Sequence, residues 1–243
     1  MGIILRKITK TYKEGQIEKH ALIDIDLEIE EGSFVAIMGE SGSGKTTLLN
    51  LIGLIDEVTS GKIIVDSKDV TALSPAKKTE YRKNNIGFIF QDFNLIDSLN
   101  VEENIMLPLI MSNYSKNEIY DKVNDVAKRI GIESLINYYP MQISGGEKQR
   151  AAIARAVICN PKILLADEPT GALDTKNAKI IMDLFVEINN QGQTILLVTH
   201  SPYIASYAKE VVFLKDGSIF SQKRRENKNR NDFYNELLSV ILY

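Results

Sequence analysis

The order of apolar and polar residues along the chain changes character at residue 34 and again at residue 92. Residues 3 to 30 alternate apolar and polar side chains, with a polar interruption at Lys13-Glu14-Gly15, as in half-exposed antiparallel strands. From residue 34, short apolar runs typical of buried strands take turns with amphipathic helical patterns. This order predicts an antiparallel β subdomain followed by βαβ units around a parallel sheet that is covered on both faces.

The stretch from 92 to 160 contains no convincing strand. The helical patterns in it are Val101–Met111, Ser115–Ile130 and Ser144–Ile158. Strands are expected to resume afterwards at Ile163–Ala166, Thr194–Val198 and Val211–Leu214, with a hairpin turn at 215–218 leading into Ile219 and Phe220. We therefore expect a core domain at 1–91 and 161–222 that is interrupted by a helical subdomain at 92–160.

The first candidate site is a glycine-rich loop. Residues 39 to 46 read Gly-Glu-Ser-Gly-Ser-Gly-Lys-Thr and fit the pattern G-x-x-x-x-G-K-[ST], which turns backbone N–H groups and a helix N-terminus toward phosphates. Lys45 adds a positive charge, and Thr46 adds a hydroxyl for Mg²⁺. The simpler interpretation is a flexible Gly/Ser turn. A buried strand before the loop (33–38) and an apolar-faced helix after it (47–52) favour the phosphate site.

A second glycine-rich segment, Ser144-Gly145-Gly146-Glu147, lies about a hundred residues further along. It has the form of a capping box at the start of a helix, in which Ser144 and Glu147 satisfy each other's backbone amides. A cap does not need two consecutive glycines, whereas the close approach of a helix N-terminus to an anion does. Since one triphosphate needs only one such cradle, the pair of segments predicts ATP held between two copies of the chain.

Four apolar runs end abruptly in polar residues. The last apolar residues of these runs are Met38 before the glycine loop, Phe90 before Gln91, Ala166 before Asp167 and Glu168, and Val198 before Thr199 and His200. Ligands of open α/β sheets bind at the carboxyl ends of the strands, so these residues could converge on one nucleotide. Any one of them alone could be a simple strand-end cap.

Each of these polar groups suits a part of phosphoryl transfer. Asp167 can hold magnesium, and Glu168 can accept a proton from an attacking water. His200 can bind the γ-phosphate and help to orient that water. Gln91 can contact magnesium or water through its carbonyl and report the nucleotide state to the helical subdomain.

Net charge and hydropathy narrow the possible partners. The formal net charge of −3 argues against a nucleic-acid binder that neutralises phosphates. No window approaches the ~20 apolar residues of a membrane span, and residues 1–7 lack a secretory signal, so we expect a cytosolic location. The single cysteine, Cys159, is expected to be a small buried hydrophobic residue.

Residues 223–243 form a separate tail. Five Lys or Arg residues between 223 and 230 precede the apolar residues Phe233, Leu237, Leu238 and Ile241, which predicts a basic linker and a short amphipathic helix. Either the helix docks on its own domain or the basic residues contact an anionic membrane surface.

With these motifs together, the chain resembles the nucleotide-binding subunit of ATP-binding-cassette (ABC) transporters over residues 1 to 220. The resemblance implies an α/β fold of the ABC ATPase type, with a P-loop NTPase core, an N-terminal antiparallel β subdomain and an inserted α-helical subdomain. It also implies that Tyr12 stacks on adenine, that 143–147 is the signature segment engaging the partner's ATP, and that Asp167 and Glu168 are the Walker B pair. Gln91 would be the Q-loop glutamine, and His200 the switch histidine.

The resemblance sets the expected site residues. The nucleotide contacts are Tyr12, Gly39, Ser41, Gly42, Ser43, Gly44, Lys45, Thr46, Thr47, Ser144, Gly145, Gly146 and Glu147. The catalytic groups are Lys45, Gln91, Glu168 and His200, and the magnesium ligands are Thr46, Gln91 and Asp167. The D-loop at the dimer interface would be 171–174. This chain has Ile143 and Glu147 where the family signature usually has Leu and Gln, and Gly171 where Ser is common.

Finer features are similar to one branch of the family. Phe90–Leu95, Asn104 and Leu107–Leu109 are similar to the branch that contains macrolide exporters, lipoprotein-release systems and bacitracin-type peptide-antibiotic resistance transporters. The tail is similar to the C-termini of the bacitracin-type group. The transported substrate and the direction of transport are left open, because substrate contacts would lie in the permease.

The expected function is a transport-coupled ATPase. Two copies would close around two MgATP and drive a separate membrane permease, with the chain peripheral on the cytoplasmic face of the membrane. An ATPase of DNA repair or translation is less consistent with the chain, which has neither a long coiled-coil insertion nor two cassettes. A cell-division-type ATPase that regulates cell-wall hydrolysis remains open. A P-loop kinase would lack the segment at 144–146.

Overall fold

The computed structural model describes residues 2–15 and 17–242. The strands are β1 (Ile3–Glu14), β2 (Ile17–Ile29), β3 (Phe34–Met38), β4 (Ser60–Val65), β5 (Lys68–Asp69), β6 (Ile86–Ile89), β7 (Ile163–Asp167), β8 (Thr194–Thr199), β9 (Glu210–Lys215) and β10 (Ser218–Arg224). The helices are α1 (Lys45–Ile52), α2 (Pro75–Asn85), α3 (Val101–Met111), α4 (Lys116–Ile130), α5 (Gly145–Val157), α6 (Thr175–Asn190), α7 (Pro202–Ala205) and α8 (Arg230–Leu242).

The N-terminal residues form the expected antiparallel hairpin. β1 and β2 pair from Ile3 opposite Ile29 to Glu14 opposite Ile17. Most apolar residues of the hairpin are buried on one face, as the alternating pattern predicts, and most polar positions between them are exposed. The exceptions include Ile17 and Ile23, which are exposed, and Lys10, which is buried. β1 also pairs with β4, and the second sheet has the order β2-β1-β4-β5.

The core sheet has six strands in the order β10-β9-β3-β8-β7-β6. β3, β6, β7, β8 and β9 run parallel, and β10 returns antiparallel along β9 after a turn with positive φ at Asp216 and Gly217. Every residue of β3 and β8 is buried, because helices and the hairpin sheet cover both faces. The prediction of a doubly covered parallel sheet is confirmed, and β3, β8 and β7 bring their carboxyl ends side by side.

The helical subdomain is built on capped helices. Capping boxes begin α3 at Asn100, α4 at Ser115 and α5 at Ser144, and Gly131 ends α4 in the left-handed conformation. The helices pack through buried apolar residues, which include Val101, Ile105, Leu109, Val123 and Ile153. A further helix, α2, was not expected from the sequence.

The tail docks on the core domain. β10 extends to Arg224, so the first two basic residues of the tail lie within the sheet. α8 packs beside α7 with Phe233 and Leu237 fully buried, which agrees with the interpretation that the tail docks on its own domain. Within the described residues, no helix is long and apolar enough to cross a membrane.

Candidate nucleotide-binding site

The glycine loop joins β3 to α1 in the order that a phosphate site requires. Gly44 is the residue before α1 and has φ 102°. A Cβ atom there would lie 2.4 Å from the carbonyl oxygen of Ala21, and one at Gly39 would lie 2.2 Å from that of Leu214. Gly42 also has positive φ, but a Cβ atom on it would meet nothing within 4 Å. The loop is therefore clamped on its inner side by β2 and β9 and open on its outer side.

The loop carries a hydroxyl that has no hydrogen-bond partner among residues 2–15 and 17–242. The side chain of Ser43 is buried, and its Oγ makes no hydrogen bond in the structure. An unpaired buried hydroxyl is costly unless a ligand satisfies it. Beside the free N–H groups at the start of α1, this hydroxyl fits the oxygens of a bound phosphate.

Lys45 is buried at the start of α1, and its Nζ donates a hydrogen bond to the carbonyl of Glu40 at 2.7 Å. Burial lowers the pKa of Lys45, and the nearby charges of Glu168 and Asp167 act in the opposite direction. The lysine is thus held across the loop, close to both carboxylates.

Two of the three expected magnesium ligands, Thr46 and Asp167, contact each other. Oγ1 of Thr46 donates to Oδ1 of Asp167 at 3.1 Å. Burial raises the pKa of Asp167, an effect that the Thr46 hydrogen bond opposes. A bound cation would relieve this cost, and a hydroxyl together with one carboxylate suits Mg²⁺, which keeps several waters and also binds substrate phosphates.

The proposed catalytic side chains converge beyond the end of β7. Glu168 has φ 43°, and its N–H donates to the carbonyl of Val198 on β8 at 3.0 Å. Its Oε2 lies 2.9 Å from Nδ1 of His200. A Cβ atom added to Gly171 would lie 3.5 Å from this Oε2 and 3.7 Å from Nε2 of Gln91. Gln91 and Glu168 therefore border the same point, although they are far apart in sequence.

Two cavities meet at His200. A cavity of about 560 Å³ is lined by His200 and residues 39–43 of the glycine loop. A second cavity of about 210 Å³ is lined by His200, Glu168 and Gly171. The expectation that the strand ends converge is confirmed for β3, β7 and β8.

Tyr12 lies at the far end of the β1–β2 hairpin. Its hydroxyl donates to Oδ2 of Asp56 at 2.7 Å, and the ammonium of Lys10 lies 4.7 Å from the ring centroid. Burial and the Asp56 hydrogen bond raise the pKa of Tyr12, while Thr47 next to the glycine loop acts in the opposite direction. The residue is 41% exposed, which leaves its ring accessible to a planar base.

The second glycine segment begins α5. Ser144 caps the helix, and Oε2 of Glu147 accepts hydrogen bonds from the N–H and Oγ of Ser144 at 2.8 and 2.7 Å. These bonds lower the pKa of Glu147, and they hold its charged carboxylate against Ser144 at the start of the helix. A Cβ atom on Gly146 would lie 2.7 Å from Oδ1 of Asn177, whereas one on Gly145 would make only ordinary contacts. Within the single chain, a side chain at 146 would displace only the side chain of Asn177, and no backbone atom closes either position.

Two residues near the site were missed by the sequence analysis. Arg155 of α5 donates to the carbonyls of Asn94 at 2.5 Å and Phe93 at 2.9 Å, just after Gln91. The carboxylate of Asp56 accepts hydrogen bonds from Nζ of Lys10 and from the hydroxyl of Tyr12. An arginine among the apolar residues of α5 was a usable signal, but nothing in the sequence pairs Asp56 with Tyr12.

These features define an ATPase of the phosphate-loop class: a glycine loop before a helix, a half-buried carboxylate beside the loop threonine, and a second carboxylate in contact with a histidine. Comparison with known proteins gives the family. Residues 22–171 match the family described as ABC transporter. The chain is 46% identical over 238 residues to the ABC transporter ATP-binding protein YxdL of Bacillus subtilis. This alignment covers 98% of the present chain and 92% of YxdL. The chain is 42% identical to the bacitracin export ATP-binding protein BceA of Halalkalibacterium halodurans, over 96% and 92% of the two chains.

A solved structure agrees with these sequence matches. The dimeric post-hydrolysis state of the ATP-binding cassette MJ0796, bound to ADP and Pi, aligns with a TM-score of 0.86 at 41% identity. The alignment covers 91% of this chain and 98% of that one; the MJ0796 sequence is from Methanocaldococcus jannaschii. The chain belongs to the ABC transporter family and has the ABC ATPase fold.

Proposed function

We propose that two copies of this chain close around two ATP molecules, with Mg²⁺, and that hydrolysis drives a separate membrane permease. The observation that carries the proposal is the split of the phosphate-facing groups between two places. The glycine loop is open on its outer side at Gly42, while Ser144 and Gly145 lie at a helix N-terminus on another subdomain. The dimeric MJ0796 cassette supports this arrangement.

Within each site, the residues divide the work as follows. The N–H groups at the start of α1, the Ser43 hydroxyl and Lys45 bind the phosphates and balance their charge. Thr46, Asp167 and Gln91 would hold Mg²⁺, which when bound would further neutralise the phosphate oxygens. Glu168 accepts a proton from the attacking water, and His200 holds the carboxylate in place for that step.

We propose that the permease contacts a groove between the two subdomains. A cavity of about 300 Å³ is lined by Phe88 of the sheet edge, Pro108 and Met111 of α3, and Arg155 of α5. Met111 is 70% exposed, which leaves an apolar rim to the groove. A permease segment seated here would touch both subdomains and Arg155, which holds the segment after Gln91. The chain would then lie at the membrane surface through this partner.

The substrate group that we propose is peptide antibiotics. The similarity to BceA, named as a bacitracin export protein, supports it, as do the motif at 90–95 and the tail. Macrolide-type export, lipoprotein release and the regulation of cell-wall hydrolysis are the alternatives. Purification with the permease and ATPase assays with bacitracin, a macrolide and an acylated peptide will separate them. Stimulation by the peptide antibiotic alone is the expected result.

The dimer is tested with Glu168→Gln in the full chain. This variant keeps the shape of the side chain but cannot accept the proton, so ATP should bind, turnover should fall about 10²-fold or more, and a dimer should accumulate. Gel filtration with and without ATP measures dimer formation. The matched control is Glu133→Gln, because Glu133 is exposed. A Glu168→Gln chain that stays monomeric with ATP bound would rule out the proposed assembly.

A further inference from the structure

The last turn of α8 borders the nucleotide site. Val240 and Ile241 line the same cavity of about 560 Å³ as the glycine loop and His200. Phe220 of β10 lines it as well. Ile241 is 49% exposed and Phe220 is 53% exposed. Phe220, Val240 and Ile241 therefore form an apolar strip beside the phosphate-binding residues of this cavity.

The part of this strip that lies in α8, Val240 and Ile241, is held in place by the rest of that helix. Phe233 and Leu237 are fully buried against the core domain. The guanidinium of Arg230 lies 4.2 Å from the ring centroid of Tyr207 and 5.4 Å from that of Tyr203, beside α7. These contacts fix the helix on the segment that follows His200. The apolar residues of its last turn are thus presented at the cavity by a docked helix.

We propose that Phe220 and Ile241 form an apolar extension of the interface with a second copy of this chain. The inference rests on the proposed ATP-bound dimer, since the other wall of the cavity is the glycine loop that the second copy is proposed to face. A copy seated on residues 39–43 also covers the apolar strip beside them. Removing these half-exposed side chains from water would strengthen association.

The proposal separates two properties of the chain. ATP binding to a single copy depends on the glycine loop and Tyr12, which the strip does not include. The dissociation constant of the ATP-bound dimer depends on the strip as well. Substitutions in the strip should therefore weaken the dimer and leave ATP affinity of the monomer unchanged.

The test uses Phe220→Ser and Ile241→Ser, each made in the Glu168→Gln chain, because an uncharged side chain removes the apolar surface without repelling the phosphates. Sedimentation at saturating ATP measures the dimer dissociation constant, and titration of a fluorescent ATP analogue into dilute protein measures monomer affinity. The control is Ile17→Ser, because Ile17 is 73% exposed and lies at the hairpin of β1 and β2. Phe220 contacts the ring of Phe213, so a melting curve is needed for Phe220→Ser, whereas Ile241 lies at a helix end.

We expect both Ser variants to raise the dimer dissociation constant at least 10-fold and to leave the monomer affinity for ATP unchanged. The Ile17→Ser control should change neither constant. Dissociation constants within twofold of the parent overturn the interface extension and leave the ATP dimer intact. A tighter dimer also overturns it, since the last turn would then obstruct association. If the Glu168→Gln parent shows no dimer with ATP, the proposed function itself fails, and the extension fails with it.

Discussion

Nδ1 of His200 lies 2.9 Å from Oε2 of Glu168, and the two residues follow neighbouring parallel strands. The pairing of β7 with β8 sets this distance, because Asp167 stands opposite Val198 in the register. The histidine is 66% exposed at its side chain, whereas the glutamate is 20% exposed. A solvent-facing histidine thus holds a largely covered carboxylate at the edge of the site.

The contact predicts a selective effect of His200→Ala. Losing the histidine frees the Glu168 carboxylate to rotate away from the water that it must activate, so kcat should fall about 10²-fold, while KM for ATP changes little. His200→Gln, which can still hydrogen-bond to the carboxylate, should retain more activity than His200→Ala. Steady-state ATPase assays measure both constants, and a pure KM effect would contradict this role.

Ser144→Ala separates capping from catalysis. Loss of the cap alone should cost about 1 kcal/mol of stability. The matched control is Ser115→Ala, since Ser115 caps α4 with the same hydrogen-bond pattern to Glu118. Both variants should melt at similarly lowered temperatures, but only Ser144→Ala should lose most ATPase activity. Equal activities in the two variants would leave Ser144 with a capping role alone.

Tyr12→Ala should weaken ATP binding by about 10-fold, because stacking on an aromatic ring is worth on the order of 1–3 kcal/mol per base. Tyr12→Phe keeps the ring and removes only the hydrogen bond to Asp56, so its affinity should stay within a few-fold of the parent. Calorimetric titration with ATP compares the three proteins. If the Ala variant binds as tightly as the parent, Tyr12 belongs to the hairpin sheet and not to the base site.

Asp167→Asn should stabilise the nucleotide-free protein at neutral pH. Because burial raises the pKa of Asp167 above its unfolded value, its charge opposes folding at pH values above that raised pKa. The gain in melting temperature from Asn should therefore be largest near pH 7 and shrink as the pH falls through the raised pKa toward the unfolded value. Thermal melts between pH 4 and 7 follow the trend. A gain that grows on acidification would contradict it.

The helical subdomain shows what the sequence could predict. Its three helices were expected within one or two residues, because each begins at a capping residue and keeps an apolar face. α2 was missed since none of its residues is buried, and its sequence carries no apolar period. The helices that bury an apolar face could therefore be predicted from the sequence, whereas the unburied α2 could not.

The site shows the same limit. Residues 39–46, Gln91, Glu168 and His200 could be grouped from the sequence because strand ends at one sheet edge must be neighbours. The contact between Gly146 and Asn177 could not, since it depends on how α5 packs against α6. The sequence analysis assigned both glycines to a ligand, and the structure adds that Gly146 also lies close to the side chain of Asn177.

The central claim is that each ATP is bound by the glycine loop of one copy and the Ser144 segment of the other. It is tested most directly by mixing two inactive chains, Lys45→Ala and Ser144→Arg, under conditions in which the parent turns over. The mixed dimer contains one intact site, so equal amounts of the two chains should recover about a quarter of parental ATPase activity if sites act independently and dimers form at random. Activity no higher than the average of the separate variants would contradict the claim.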